Sequence, residues 1–100
     1  MKDILRAIHM PTLSTFEIVA LPGTLHFAPR DAAGEFDMHY FCPGGSGVRQ
    51  VIRVGEGFKP EGPGASWQWN GSRSEPTLSP SVNHVGHWHG WLRDGYWERV

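Results

Sequence analysis

Thirteen glycines and eight prolines interrupt this 100-residue chain so often that few stretches are long enough for a helix. Proline removes a backbone donor and clashes in a helix interior, and glycine pays conformational entropy there. What remains by default is short strands joined by turns. The firmest turn is Asp94-Gly95, between His87-Trp88-His89-Gly90-Trp91-Leu92-Arg93 and Tyr96-Trp97-Glu98-Arg99-Val100. A two-residue type I′ turn needs positive φ at both central positions, which Asp-Gly supplies. The expected register opposes Arg93 to Tyr96, Leu92 to Trp97, Trp91 to Glu98 and His89 to Val100.

Upstream the pattern is similar. Phe16-Glu17-Ile18-Val19-Ala20 reads as a strand stopped by Pro22-Gly23, and Thr24-Leu25-His26-Phe27 as another. From Phe36 to Phe41 the chain alternates, with Phe36, Met38 and Tyr40 on one face and Asp37, His39 and Phe41 on the other. Val48, Gln50, Ile52 and Val54 share one face of a further strand, and Trp67-Gln68-Trp69 forms a short one with both indoles on one side. Residues 55–65 read as a loop and residues 71–81 as an ordered connection. Residues 2–9 read as one helical turn or an irregular arm, ended by Pro11. The expectation is one all-β domain of short antiparallel strands, either a compact sheet or an open barrel or sandwich. An N-terminal arm would occupy residues 1–12 and the β domain residues 13–100.

A domain of this size buries about 60–65% of the surface its unfolded chain exposes, so its core is thin and often needs a staple. The single cysteine, Cys42, excludes an internal disulfide and argues for a reducing compartment. A net charge of −1 offers no electrostatic footprint for nucleic acid or an anionic membrane. The N-terminus is too charged for a signal peptide, and no apolar run approaches bilayer length. A soluble, cytoplasmic protein is expected.

A metal is the remaining staple with a visible donor set. Alternation along the last hairpin places His87, His89 and Trp91 on one face, with Glu98 diagonal to His89. Two imidazoles two residues apart can converge on one ion. A thiolate from the glycine-rich bend Cys42-Pro43-Gly44-Gly45 would be the soft partner, and His39 the fourth ligand. Cys42, His87, His89 and His39 would then close a structural zinc site. With His39 left out, water, His84 or Glu98 takes the fourth position, and hydrolytic chemistry becomes available. His9 and His26 read as ordinary surface histidines, and His84 as a turn residue.

Three segments also carry a family resemblance: Trp67-x-Trp69-Asn70-Gly71-Ser72, Pro76-Thr77-Leu78-Ser79-Pro80-Ser81-Val82 and His89-Gly90-Trp91-Leu92-Arg93-Asp94-Gly95. Together with Cys42-Pro43-Gly44-Gly45, they resemble a family of small proteins of unknown function from bacteriophages, prophages and bacterial ubiquitin-like operons. Some of its members carry the label "ammonia monooxygenase". The resemblance covers about residues 36–100 and implies a zinc-binding β domain, with Cys42 and His89 as the best-matched ligands. This chain has Gly44 or Gly45 where relatives carry a second cysteine, and His87 where they carry a late one. Nothing in these residues suggests the copper site that the monooxygenase label would need.

The function expected from the sequence is a zinc-binding accessory protein, phage- or prophage-encoded, that binds a protein partner. The alternatives are a small metal-dependent enzyme, cupin-like or hydrolytic, using His87 and His89, and then a zinc-stabilised nucleic-acid-binding module. No catalytic residue is assigned, and the oligomeric state is open, a homodimer included.

Overall fold

The computed structural model describes residues 4–100. Among the described residues, nine strands and one short helix succeed one another: β1 (Ile4–Arg6), α1 (Leu13–Val19), β2 (Leu25–Pro29), β3 (Glu35–Phe41), β4 (Arg49–Glu56), β5 (Trp67–Trp69), β6 (Leu78–Ser79), β7 (Val82–His84), β8 (Trp88–Arg93) and β9 (Tyr96–Arg99). They form a four-stranded sheet in the order β1-β9-β8-β7 and a five-stranded sheet in the order β2-β3-β4-β5-β6. Among the described residues, these strands pair antiparallel except β4 with β5, which run parallel, and the isolated bridge between His9 and Leu25 is parallel as well. The all-β expectation is borne out.

Both sheets contribute to one hydrophobic core. Leu25, Phe27, Met38, Tyr40, Ile52, Val54, Trp69 and Leu78 enter from the larger sheet, and Val82, Trp88, Leu92 and Trp97 from the smaller. Alternation in β3 works as the sequence implies, with Met38 and Tyr40 fully buried. Aromatic contacts tie the core together. Phe27 stacks on Trp69 at 3.9 Å, and Trp88 meets Trp97 edge-on at 5.4 Å. The Trp97 indole also donates to the Gly23 carbonyl at 2.9 Å, satisfying a polar group that burial would otherwise penalise.

The hairpin register matches the expectation at every pair, with Val100 N–H donating to the His89 carbonyl. Asp94 (φ 49°) and Gly95 (φ 84°) both adopt positive φ, as the turn demands.

Besides β6, which forms at Leu78–Ser79 inside the connection expected at residues 71–81, three segments differ from their sequence reading. Ile4–Arg6, expected as a helical turn or irregular arm, is a strand, because β9 has an open edge that Ile4, Leu5 and Arg6 complete. Residues 2 and 3 of that segment lie outside the described residues. The expected strand at Phe16–Ala20 is instead the end of helix α1. Thr12 caps it by accepting the Thr15 N–H at 3.1 Å, and Ala20 closes it in the left-handed region. The third difference is β7: His84, expected in a turn, ends a strand that pairs with β8.

Candidate active site

Apart from β6, the connection through residues 70–81 is irregular, yet nearly every residue in it is held. Asn70 organises the loop: its carboxamide oxygen accepts from the Ser72 and Thr77 amides, and its nitrogen donates to the Glu75 carbonyl. Pro76 is buried, and its carbonyl accepts from the Gly95 amide at 3.0 Å. The Thr77 hydroxyl accepts from the Asp94 amide at 2.9 Å. The loop is thereby clamped to the hairpin turn. Leu78 fills the core, Ser79 pairs with Gln68, and the Ser79–Pro80 peptide is cis. The Pro-Thr-Leu-Ser-Pro-Ser segment thus delivers its last residue, Ser81, to the start of β7.

The ladder does the rest. Val82 pairs with Gly90, Asn83 with His89 and His84 with Trp88. Side chains alternate across a sheet, so Ser81, Asn83, His89 and Trp91 share its outer face, and the Trp91–Glu98 pair adds Glu98. Ser81 and His89 are diagonal neighbours on that face. The Ser81 hydroxyl lies 3.2 Å from His89 Nε2. With the imidazole proton on Nδ1, the hydroxyl donates to Nε2, which is the geometry of a nucleophile beside its base. Ser81 is half-buried and His89 exposed, so the pair is open to a large substrate. On the other side of Ser81, the Trp67 indole N–H donates to its carbonyl at 3.1 Å and fixes the backbone. The Arg93 guanidinium stacks over Trp91 at 4.8 Å, with Glu98 3.9 Å away.

The four expected metal ligands occupy different surroundings. Cys42 is fully buried in the core beside Tyr40. Burial pushes its thiol pKa up, but hydrogen bonds from Ser46 and Gly44 and the charge of Arg99 outweigh it, so the net direction is down. His39 sits on the opposite face of the strand, where its Nδ1 meets Arg49 at 3.2 Å; burial first, then that charge, lowers its pKa. His87 lies in the turn before β8, its ring 4.4 Å from that of His84. His89 faces Ser81. Among the described residues, no group of three or more His, Cys, Asp or Glu side chains is gathered closely enough to hold a metal ion.

Sequence reasoning singles out His89 for its chemistry and misses Ser81 as its partner. The available signal is a hydroxyl ending a distinctive motif eight residues before His89. It is unreadable without knowing that Val82-Asn83-His84 forms a strand.

A family model described as "Bacterial ubiquitination-like system serine protease (BubE)" matches residues 11–100. No curated protein and no solved structure matches the chain. Among the described residues, no helix is long and apolar enough to cross a membrane.

Proposed function

The chain belongs to the BubE family of bacterial ubiquitination-like systems, and from that premise we propose that it is a serine hydrolase whose nucleophile is Ser81 and whose general base is His89. The carrying observation is the 3.2 Å approach of the Ser81 hydroxyl to His89 Nε2 on an accessible sheet face. The family's description as a serine protease supports the same chemistry.

In this mechanism Ser81 Oγ attacks an acyl carbon while its proton passes to His89 Nε2. The carbon–nitrogen or carbon–oxygen bond to the leaving group breaks, and the leaving group departs with the proton from His89. Water then attacks the acyl-Ser81 ester, with His89 again taking the proton. The products are a free carboxylate and the restored hydroxyl.

A conjugation system joins its modifier to targets through the modifier's C-terminal carboxyl. A hydrolase in such a system either exposes that carboxyl or releases it from a target. We therefore assign the modifier protein as both partner and acyl donor. The test is hydrolysis of a modifier protein of the same system carrying a C-terminal extension. Ser81→Ala and His89→Ala should each lower the rate by on the order of 10³-fold or more with the fold intact. Undiminished cleavage by Ser81→Ala would refute the assignment.

A further inference from the structure

We infer that the substrate binds as an added strand along the free edge of β7, antiparallel to it, with the third residue before the scissile bond paired to the Asn83 backbone. This rests on Ser81 being the nucleophile. It adds the side of the bond that is recognised and the means of recognition.

Backbone direction decides which groups of β7 are free. Val100 N–H donates to the His89 carbonyl, so on β8 the peptide groups of His89 face β9. Successive residues of a strand direct these groups to opposite sides, so those of Trp88 and Gly90 face β7. Their partners His84 and Val82 are thereby used. The N–H and C=O of Asn83 point the other way, out of the sheet. β7 ends the sheet order, and among the described residues no strand pairs with that outer side.

An exposed donor and acceptor on one residue of an edge strand match the main chain of an extended peptide. The edge is short. Val82 precedes Asn83 and faces β8, and before it the Ser81 carbonyl is already taken by the Trp67 indole. A peptide can therefore exchange its two hydrogen bonds at Asn83 and must then pass Ser81. Two positions beyond the residue opposite Asn83 an antiparallel chain comes level with Ser81, where the Trp67 indole on the Ser81 carbonyl takes the place of further main-chain pairing. Its carbonyl carbon is the one attacked, so the acyl side of the bond lies along β7. Ser81 then stands between the incoming strand and His89, as base-assisted attack requires. An extended, unstructured tail of a folded protein meets this requirement; a folded surface loop does not.

The experiment is an N-methyl scan of a peptide substrate spanning the modifier's cleavage junction, with p-nitrophenyl acetate as a reporter that needs no strand pairing. Methylation of the third residue before the bond should lower kcat/KM by about tenfold or more, and of the second or fourth by no more than about twofold. In parallel, Asn83→Pro removes the edge N–H without touching the β7–β8 ladder. The ratio of peptide to nitrophenyl ester turnover should fall about tenfold in Asn83→Pro. A flat scan, or sensitivity confined to residues after the bond, overturns the edge assignment while leaving the nucleophile standing. Absence of Ser81-dependent ester hydrolysis in the wild-type protein overturns the nucleophile and the edge assignment with it.

Discussion

Asn83 on β7 stands directly opposite His89 on β8, and this pairing carries Ser81, two residues earlier, onto the diagonal where its hydroxyl reaches Nε2. The geometry depends on the ladder rather than on a pocket. A change that shifts β7 against β8 should separate the pair even if no side chain of the pair is altered.

Gly90 offers such a change. It pairs with Val82 on one side and Arg99 on the other. A Cβ there would overlap the Glu98 carbonyl oxygen and the Trp88 ring. Gly90→Ala should destabilise the domain by about 1–3 kcal/mol, which lowers Tm by about 4 °C or more in a domain of this size. Hydrolysis should fall further than the folded fraction does. Thermal melts and activity measured at equal folded fraction check it.

Cys42 and a metal are the competing sources of chemistry, and both can be removed. The thiol is fully buried, while Ser81 lies on the outer face of the sheet. Cys42→Ser should therefore change hydrolysis by less than about twofold, as should dialysis against a chelator, because the proposed reaction uses a neutral imidazole and a hydroxyl. Metal content measured before and after dialysis tests the zinc expectation for Cys42, His39, His87 and His89 at the same time. Activity lost on chelation and restored by zinc would favour the metal-dependent reading.

Stability should rise with pH across the histidine range. Burial, then His87, lowers the pKa of His84 below 6.5, and its Nδ1 is buried without a hydrogen-bond partner among the described residues. Burial first, then the charges of Arg73 and His26, moves His9 in the same direction, as burial first, then Arg49 and His26 against Asp37 and Glu17, does for His39. The unfolded chain then takes up protons first, so stability is lost as pH falls below about 6.5 and on through the folded-state values. Tm should be lower at about pH 5.5 than at about pH 7.5, and His84→Phe should flatten part of that slope. A Tm that rises on acidification would contradict the assignment.

Legibility follows the strength of local rules. Asp94-Gly95 dictates a turn by backbone sterics alone, so the register of Trp91, Leu92 and His89 can be read from the chain itself. The strands at Phe36–Phe41 and Val48–Val54 are equally plain from alternation. Helix α1 is hidden because Ile18 and Val19 suggest a strand, while the cap at Thr12 is the signal that prevails. The site is half legible. His89 stands out as a chemical residue, but its partner depends on β7, three residues long and defined only by pairing with β8. A strand that short has no period of its own to display. Of the expected zinc ligands, His39 lies on the outer face of β3 beside Arg49, while Cys42, just past the end of that strand, lies in the core, and spacing alone shows neither direction.

The most direct measurement is site-resolved labelling of the intact protein with a fluorophosphonate, which reacts fastest with a hydroxyl made nucleophilic by a neighbouring base. Mass spectrometry should find one phosphonylated residue, Ser81, and His89→Ala should suppress that adduct while leaving the fold unchanged by circular dichroism. An adduct on another residue, or unchanged labelling of Ser81 in His89→Ala, would contradict the account.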